Sequence, residues 1–125
     1  MIQLTGAEEQ IMKYLWKLEK AFMKDIVDAF PEPKPAYTTI ATVVKRMADK
    51  DIIGYKQYGK VREYYPKIKK PDYFSGQLQS MVKNFFNDSN TQFASFFTNE
   101  SKMSLSELEE LKQMIEQQIK DRKND

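Results

Sequence analysis

A chain of 125 residues with 41% hydrophobic and 13% aromatic content is long enough for one domain, or for a small domain with an appendage, and can bury a compact core. It contains neither cysteine nor histidine, which excludes disulfides, thiol nucleophiles, imidazole bases and the common zinc sites. The net charge of +2 is unevenly divided: residues 1–70 carry 14 Lys and Arg against 9 Asp and Glu, and residues 71–125 carry 6 against 9.

A basic front and an acidic back suit a nucleic-acid module joined to an interaction module. With no Gly-rich phosphate loop and no paired-carboxylate motif, an enzyme is not expected, and neither is a metal or a cofactor. No run approaches the ~18 apolar residues of a membrane span. The opening MIQLTGAEEQ lacks the basic and apolar segments of a secretory signal, so a cytoplasmic protein is expected.

Thr5 and Glu8 have the spacing of a capping box and open a helix predicted over 6–19. Ile11, Tyr14, Leu15 and Leu18 recur along one side of it, and Met12 and Trp16 widen the stripe. Trp16 is large enough to anchor the core. The chain then turns, briefly extended at Ala21 and Phe22, into a short helix over 24–30 that buries Ile26, Val27 and Phe30. The prolines of PEPKP, residues 31–35, end that helix, because they remove donors and clash with its continuation.

The stretch 35–53, PAYTTIATVVKRMADKDII, predicts a third helix. Ile40, Val43, Val44 and Met47 line its inner side at i, i+3, i+4 and i+7. Thr38, Thr39, Ala41, Thr42, Lys45, Arg46 and Asp49 fall on the other. Short hydroxyls followed by cations suit a helix end pressed against DNA, where threonines approach bases and Lys and Arg neutralise phosphates. An ordinary solvated face would read the same way in isolation.

Residues 52–58 and 61–66 are rich in β-branched and aromatic groups around Gly59, which predicts a tight hairpin. It bears Lys56, Lys60 and Arg62. A plain edge ribbon protected by its lysines is the other reading of this hairpin. Tyr64 and Tyr65 are read as core or strand-pair residues. Three helices followed by a basic two-stranded hairpin are the parts of a winged helix-turn-helix, in which the third helix enters the major groove and the wing lies along the backbone or minor groove.

KIKKP, residues 67–71, reads as a linker. A helix is predicted over 72–87, with Phe74, Leu78, Met81, Val82 and Phe85 on one side. After a break at 88–90 comes a short apolar stretch with Phe93, Ala94, Phe96 and Phe97. Ser104 and Glu107 then form a second capping box, opening a helix to about residue 122 with Leu108, Leu111, Ile115 and Ile119 as its stripe. Glu116 and Lys120 are spaced for an i,i+4 ion pair.

So much apolar surface in about 50 residues is hard to stabilise alone. Dimerisation through Phe74, Leu78, Met81, Phe85, Leu108, Leu111, Ile115 and Ile119 is the economical expectation, and a twofold dimer matches a palindromic site. Packing of these helices back onto the same chain is the alternative. The fold class expected is mainly α with a small β-hairpin: a winged helix-turn-helix domain over 1–70, then a helical dimerisation domain over 71–125.

The first helix, AEEQIMKYLW at 7–16, resembles the AE-x-x-VM-x-x-LW pattern of the penicillinase and methicillin-resistance repressors, the BlaI/MecI/CopY family, at Ala7, Glu8, Ile11, Met12, Leu15 and Trp16. The stretch AYTTIATVVKRMADKDII is similar to that family's AYTTV-x-TVL-x-RL-x-x-KG at Ala36, Tyr37, Thr38, Thr39, Thr42, Val43, Arg46 and Lys50. YYP at 64–66 and LSELEELK at 105–112 resemble the end of its wing and its closing helix. Asp51 departs from the pattern where a glycine is usual, which predicts a slightly different helix exit and the same fold.

The resemblance implies a homodimeric winged-helix repressor that covers a promoter palindrome. In the antibiotic-resistance members, a membrane-embedded sensor metalloprotease triggers cleavage within the dimerisation region; the scissile Asn-Phe bond aligns with Ser95 and Phe96, with Ser in place of Asn. The copper-responsive members carry C-terminal cysteines, and this chain has none, which excludes copper sensing.

The leading expectation is a sequence-specific repressor of transcription. Thr38, Thr39 and Thr42 lie near bases, Lys45 and Arg46 meet phosphate, and Lys56, Lys60 and Arg62 hold the wing on the backbone. Arg46 also has a second reading, as an ion-pair partner of Asp49. The runner-up is a winged-helix repressor whose Phe74, Phe85, Phe86, Phe93, Phe96 and Phe97 enclose a small molecule. A winged-helix protein–protein adaptor that never touches DNA is the reading from another class.

Overall fold

A computed structural model of the chain describes residues 2–125. Its elements run α1 (Gly6–Leu18), β1 (Ala21–Phe22), α2 (Met23–Ala29), α3 (Tyr37–Asp49), β2 (Ile53–Tyr58), β3 (Val61–Pro66), α4 (Lys70–Phe85), α5 (Asn90–Glu100) and α6 (Leu105–Lys123). The three strands form one antiparallel sheet in the order β1-β3-β2. The chain divides into two compact units, 1–77 and 78–125. Among the described residues, no helix is long and apolar enough to cross a membrane.

In the first unit, local sequence signals set each element and long-range packing joins them. The Thr5 hydroxyl accepts the Glu8 N–H at 3.2 Å, while the Glu8 carboxylate accepts the Thr5 N–H at 2.9 Å, so the capping box closes in both directions. Ile11, Met12 and Leu15 of α1 meet Ile26 of α2, Ile40, Val44 and Met47 of α3, Ile52 just before β2, and Ile53 and Tyr64 from the sheet in one buried cluster. The i, i+4, i+7 stripe of α3 is thus its core face, with Val43 half-buried at the edge. Between α2 and α3, the Lys34 ammonium donates to the carbonyls of Val27 and Asp28, both at 3.2 Å. That lysine serves the last carbonyls of α2, where the prolines stop the helix, and the Val27 carbonyl also accepts the Phe30 N–H at 3.2 Å.

Lys50 and Glu8 are joined by an ion pair of 3.0 Å between Nζ and Oε2. The Glu8 side chain is fully buried, whereas that of Lys50 is 47% exposed. Burial pushes the Glu8 carboxyl up, but the Thr5 N–H and the Lys50 ammonium outweigh it, and the net direction is down from the ordinary glutamate value. The pair fastens the start of α1 to the end of α3.

α3 leaves through a left-handed residue, Asp51 at φ 64°. The Asp51 N–H reaches the Ala48 carbonyl and the Ile52 N–H reaches the Met47 carbonyl, both at 3.0 Å, which is a complete Schellman motif. The different exit expected from Asp in place of Gly is therefore absent. A short carboxylate side chain enters the left-handed region more readily than most, and here it also pairs with Lys67 at 2.6 Å, which holds that ammonium above its usual value. Asp51→Gly is expected to raise stability by about 1 kcal/mol through relief of the left-handed backbone, read as a higher urea midpoint. A lower midpoint would mean that the exposed pair matters more than the backbone.

The stretch expected as a linker is tied down. Lys67 N–H donates to the Ile52 carbonyl at 3.0 Å, and the Trp16 indole donates to the Ile68 carbonyl at 2.8 Å. α4 begins at Lys70 and delivers Tyr73 to α1, where its hydroxyl donates to Glu9 at 2.9 Å. Burial, then the Glu9 carboxylate, raises the Tyr73 hydroxyl above its usual value. Trp16 stands half-buried between Tyr73 and Phe74, with both ring centroids 5.8 Å away. Its role is to bind the start of α4, and it flanks the core that it was expected to anchor.

The second unit has almost no interior. Among residues 78–125, Val82 alone is buried. Phe86 packs edge-on against Phe93 at 5.4 Å and lies tilted against Phe96 at 5.2 Å, which folds the turn after α4 onto α5. The apolar stretch seen in the sequence is thus a helix, capped by the Ser89 hydroxyl at Gln92 N–H. α6 starts at the expected capping box, with Ser104 and Glu107 exchanging bonds of 3.1 Å. Among the described residues, Glu116 pairs with Lys112 at 4.0 Å rather than with Lys120. Both partners are well exposed, so the exchange has little energetic weight.

Candidate nucleic-acid interface

Packing of the inner stripe of α3 leaves Thr38, Thr39, Thr42, Lys45, Arg46 and Asp49 exposed. At 100° per residue, Thr38, Thr42, Lys45 and Asp49 run down the middle of that face, and Thr39 and Arg46 flank it on one side. Tyr37, 57% exposed, and Ala41 flank the other. Asp49 is about 10 Å along the axis from Thr42, so its charge stands clear of the threonine end. Arg46 makes no ion pair with Asp49 among the described residues, which removes the reading of Arg46 as a partner of that carboxylate.

Thr42 donates its hydroxyl proton to the Thr38 carbonyl at 2.8 Å. Its methyl group and remaining lone pair are what it can present outward. The N-cap of α3, Ala36, offers no capping side chain, so the positive end of the helix dipole opens beside Thr38 and Thr39.

β2 and β3 pair from Ile53 with Pro66 to Tyr58 with Val61, and Gly59 turns between them at φ 59°. Strand alternation separates the expected wing residues. Lys56 pairs in register with Glu63, and Arg62 with Gln57, so Lys56 and Arg62 occupy opposite faces while Lys60 stands in the turn. The Lys56 ammonium lies 5.2 Å from the Tyr58 ring. Gly54 is placed where the Tyr65 ring crosses the strand: a Cβ there would come within 2.6 Å of that ring. Tyr64 is buried and Tyr65 is exposed, as a core residue and a strand-pair residue should be.

A cleft of about 930 Å3 runs between the wing, the start of α2 and the Tyr37 and Ala41 flank of α3. Lys24, Lys60 and Arg62 line it, together with Gln57 and the carboxylates of Asp25 and Asp28. Asp25 is partly occupied by the Phe22 N–H at 2.9 Å. Lys24, Tyr37 and Gln57 were not among the DNA-contacting residues expected from the sequence, although Tyr37 matches the family pattern. Tyr37 could have been found as an aromatic that falls off the inner stripe; Lys24 and Gln57 gave no local signal.

The remaining candidates lie elsewhere. Leu78, Met81, Phe85, Leu108, Ile115 and Ile119 are exposed, and Leu111 is half-buried, all in the second unit. Phe74 stays in the first unit with its ring on Trp16. Ser95 and Phe96 sit mid-way along α5, both exposed. Of the six phenylalanines considered as a pocket, Phe86, Phe93, Phe96 and Phe97 assemble, while Phe74 packs on Trp16 and Phe85 is 79% exposed. The enclosed aromatic chamber of the small-molecule reading does not form from all six. Among the described residues no cluster of three or more acidic side chains could hold a metal ion.

The chain is similar to known repressors. The chain is 26% identical over 116 residues to the penicillinase repressor of Bacillus licheniformis, covering 92% of this chain and 91% of that one. It is 21% identical over 114 residues to the methicillin resistance regulatory protein MecI of Staphylococcus aureus, covering 90% and 93%. Its fold matches the solution structure of the DNA binding domain of the repressor BlaI with a TM-score of 0.51 and 26% identity, over 57% of this chain and 88% of that one. The model of the penicillinase repressor family matches residues 4–117, and the chain therefore belongs to that family, one of DNA-binding transcriptional repressors and not of enzymes.

Proposed function

We propose that this chain is a cytoplasmic homodimeric repressor that places α3 of each copy in the major groove of a palindromic operator and lays its wing on the adjoining backbone. The observation that carries this is the outer face of α3: three exposed threonines, Lys45 and an Arg46 free of Asp49, beside a cleft edged by Lys24, Lys60 and Arg62. Thr38 and Thr39 reach bases, Thr42 offers its methyl group to a thymine methyl, and Lys45 and Arg46 neutralise phosphates. Lys56 and Lys60 supply further positive charge to the backbone from the outer face and the turn of the wing. The second unit pairs two copies, because α5 and α6 bury no residue within one chain while exposing Leu108, Ile115 and Ile119.

Release follows cleavage in the second unit by a membrane-bound sensor metalloprotease, as the antibiotic-resistance setting of its relatives suggests. The Ser95–Phe96 bond lies in a helix with no buried residue, so local opening to an extended protease substrate is inexpensive. A cut there would separate α6 from the first unit and dissolve the dimer.

Gel-shift titrations at several salt concentrations test the division of labour. Lys60→Ala is expected to weaken binding to all duplexes and to shallow the salt slope by roughly one unit. Thr39→Ala is expected to change sequence preference with the slope unchanged. Equal, salt-independent losses for both variants would contradict these roles. A protein that shifts no duplex at low salt would favour the adaptor.

A further inference from the structure

Arg62 is held more firmly than a phosphate counter-charge requires. Its guanidinium carbon lies 4.2 Å from the centre of the Tyr55 ring, and its Nε–H donates to the Gln57 side-chain oxygen at 3.1 Å. Gln57 is itself fixed, since its amide nitrogen donates to the carbonyls of Gly59 at 3.0 Å and Val61 at 3.3 Å across the turn. Tyr55 is braced in turn by the buried Tyr64, its ring 5.9 Å away. Among the described residues, no carboxylate forms an ion pair with Arg62.

A screened point charge gains little from orientation, whereas a fork that meets two acceptors in one plane gains a great deal. Tyr55 leaves 42% of its surface exposed on the wing, an arrangement that a core role does not explain. We infer that Tyr55 and Gln57 are positioning residues that preorganise Arg62 as a planar two-pronged donor, with its terminal N–H groups aimed from the wing at a coplanar pair of acceptors on DNA. The acceptors are either two oxygens of one phosphate or the acceptor edge of a base. This rests on the DNA-binding reading above and adds to it that geometry, beyond charge, sets the contribution of the wing.

The test uses the full-length chain and two duplexes, one selected by the protein from a random-sequence pool and one scrambled. Arg62→Lys keeps the charge and loses the fork, so it is expected to weaken binding about tenfold with the salt slope unchanged. Tyr55→Leu and Gln57→Leu are each expected to cost about three- to fivefold, and to cost nothing further when Arg62 is already alanine. Tyr55→Phe restores the ring face and the affinity. Equal loss on both duplexes assigns the fork to phosphate; loss confined to the selected duplex assigns it to a base edge.

Wild-type affinity in Arg62→Lys, or losses that persist in the alanine background, would overturn the inference while leaving the DNA-binding reading standing. One arm needs no DNA. By NMR of the free protein, the Arg62 Nε proton is expected to exchange slowly, and to exchange fast in Gln57→Leu. A fast-exchanging Nε proton in the wild-type protein would also overturn it.

Discussion

Ile115→Asp is expected to turn a dimer into monomers and to weaken binding to a palindromic duplex by at least a hundredfold. Leu108, Leu111, Ile115 and Ile119 line one side of α6 at i, i+3, i+7 and i+11, and no residue of α6 is buried within a single copy. Pairing of two copies would desolvate Ile115, and an aspartate there would be buried without a partner. In the monomer Ile115 is already half exposed, so the substitution leaves the isolated fold unharmed. The affinity falls because joining two reading heads makes the second contact intramolecular, an advantage of about 100- to 10,000-fold. Sedimentation velocity reads the first effect and gel shift the second. Trp16, bonded to Ile68 in the first unit, reports by its fluorescence that this unit remains folded. A variant that stays dimeric would place the interface elsewhere, and a wild-type chain that sediments as a monomer at micromolar concentration would remove the dimer altogether.

The second large effect concerns stability. Lys50→Met is expected to cost about 3 kcal/mol, because it strands the buried Glu8 carboxylate with only the Thr5 groups as partners. The figure sits at the low end for a broken buried pair, since Lys50 itself is half exposed. Glu8 has a lowered pKa in the folded chain, so its contribution is complete above the ordinary glutamate pKa and is lost as pH falls through the lowered value. The deficit of the variant is therefore greatest near neutral pH and narrows on acidification. Urea unfolding of both proteins at pH 7 and across the glutamate range measures this. A deficit that is flat with pH would show that Lys50 acts through something other than Glu8.

These two sites also mark what the sequence reveals and what it conceals. Inner stripes, capping boxes and the Gly59 turn are local patterns, and Thr5 with Glu8, Ile40 with Val44 and Met47, and Ser104 with Glu107 all stand where their spacing places them. The Lys50–Glu8 pair spans 42 residues; no window along the chain contains it, although both residues match the family pattern. The segment 67–71 looks like a linker for the same reason, because its bonds run to Ile52 and, 52 residues away, to Trp16. α5 was legible only as an apolar stretch, since phenylalanines at 93, 96 and 97 mark too short a face to identify a helix.

The outer face of α3 was more legible than its surroundings. Thr38, Thr42 and Lys45 follow from helical geometry once the inner stripe is fixed. The cleft beside them depends on how three elements meet, and Lys24, Tyr37 and Gln57 enter it only then. In the hairpin, both the separation of Lys56 from Arg62 and the stack of Arg62 on Tyr55 depend on the register of the two strands, which alternation within one strand does not supply.

The central claim is that two copies of this chain read one palindrome through α3. Selection of bound duplexes from a random-sequence pool, followed by sequencing, tests it most directly. The expected product is an inverted repeat whose half-sites are separated by a whole number of helical turns, about 10 base pairs or a multiple, with Thr39→Ala altering bases at symmetry-related positions in both halves. Enrichment of a single half-site, of direct repeats, or of no sequence at all would contradict it.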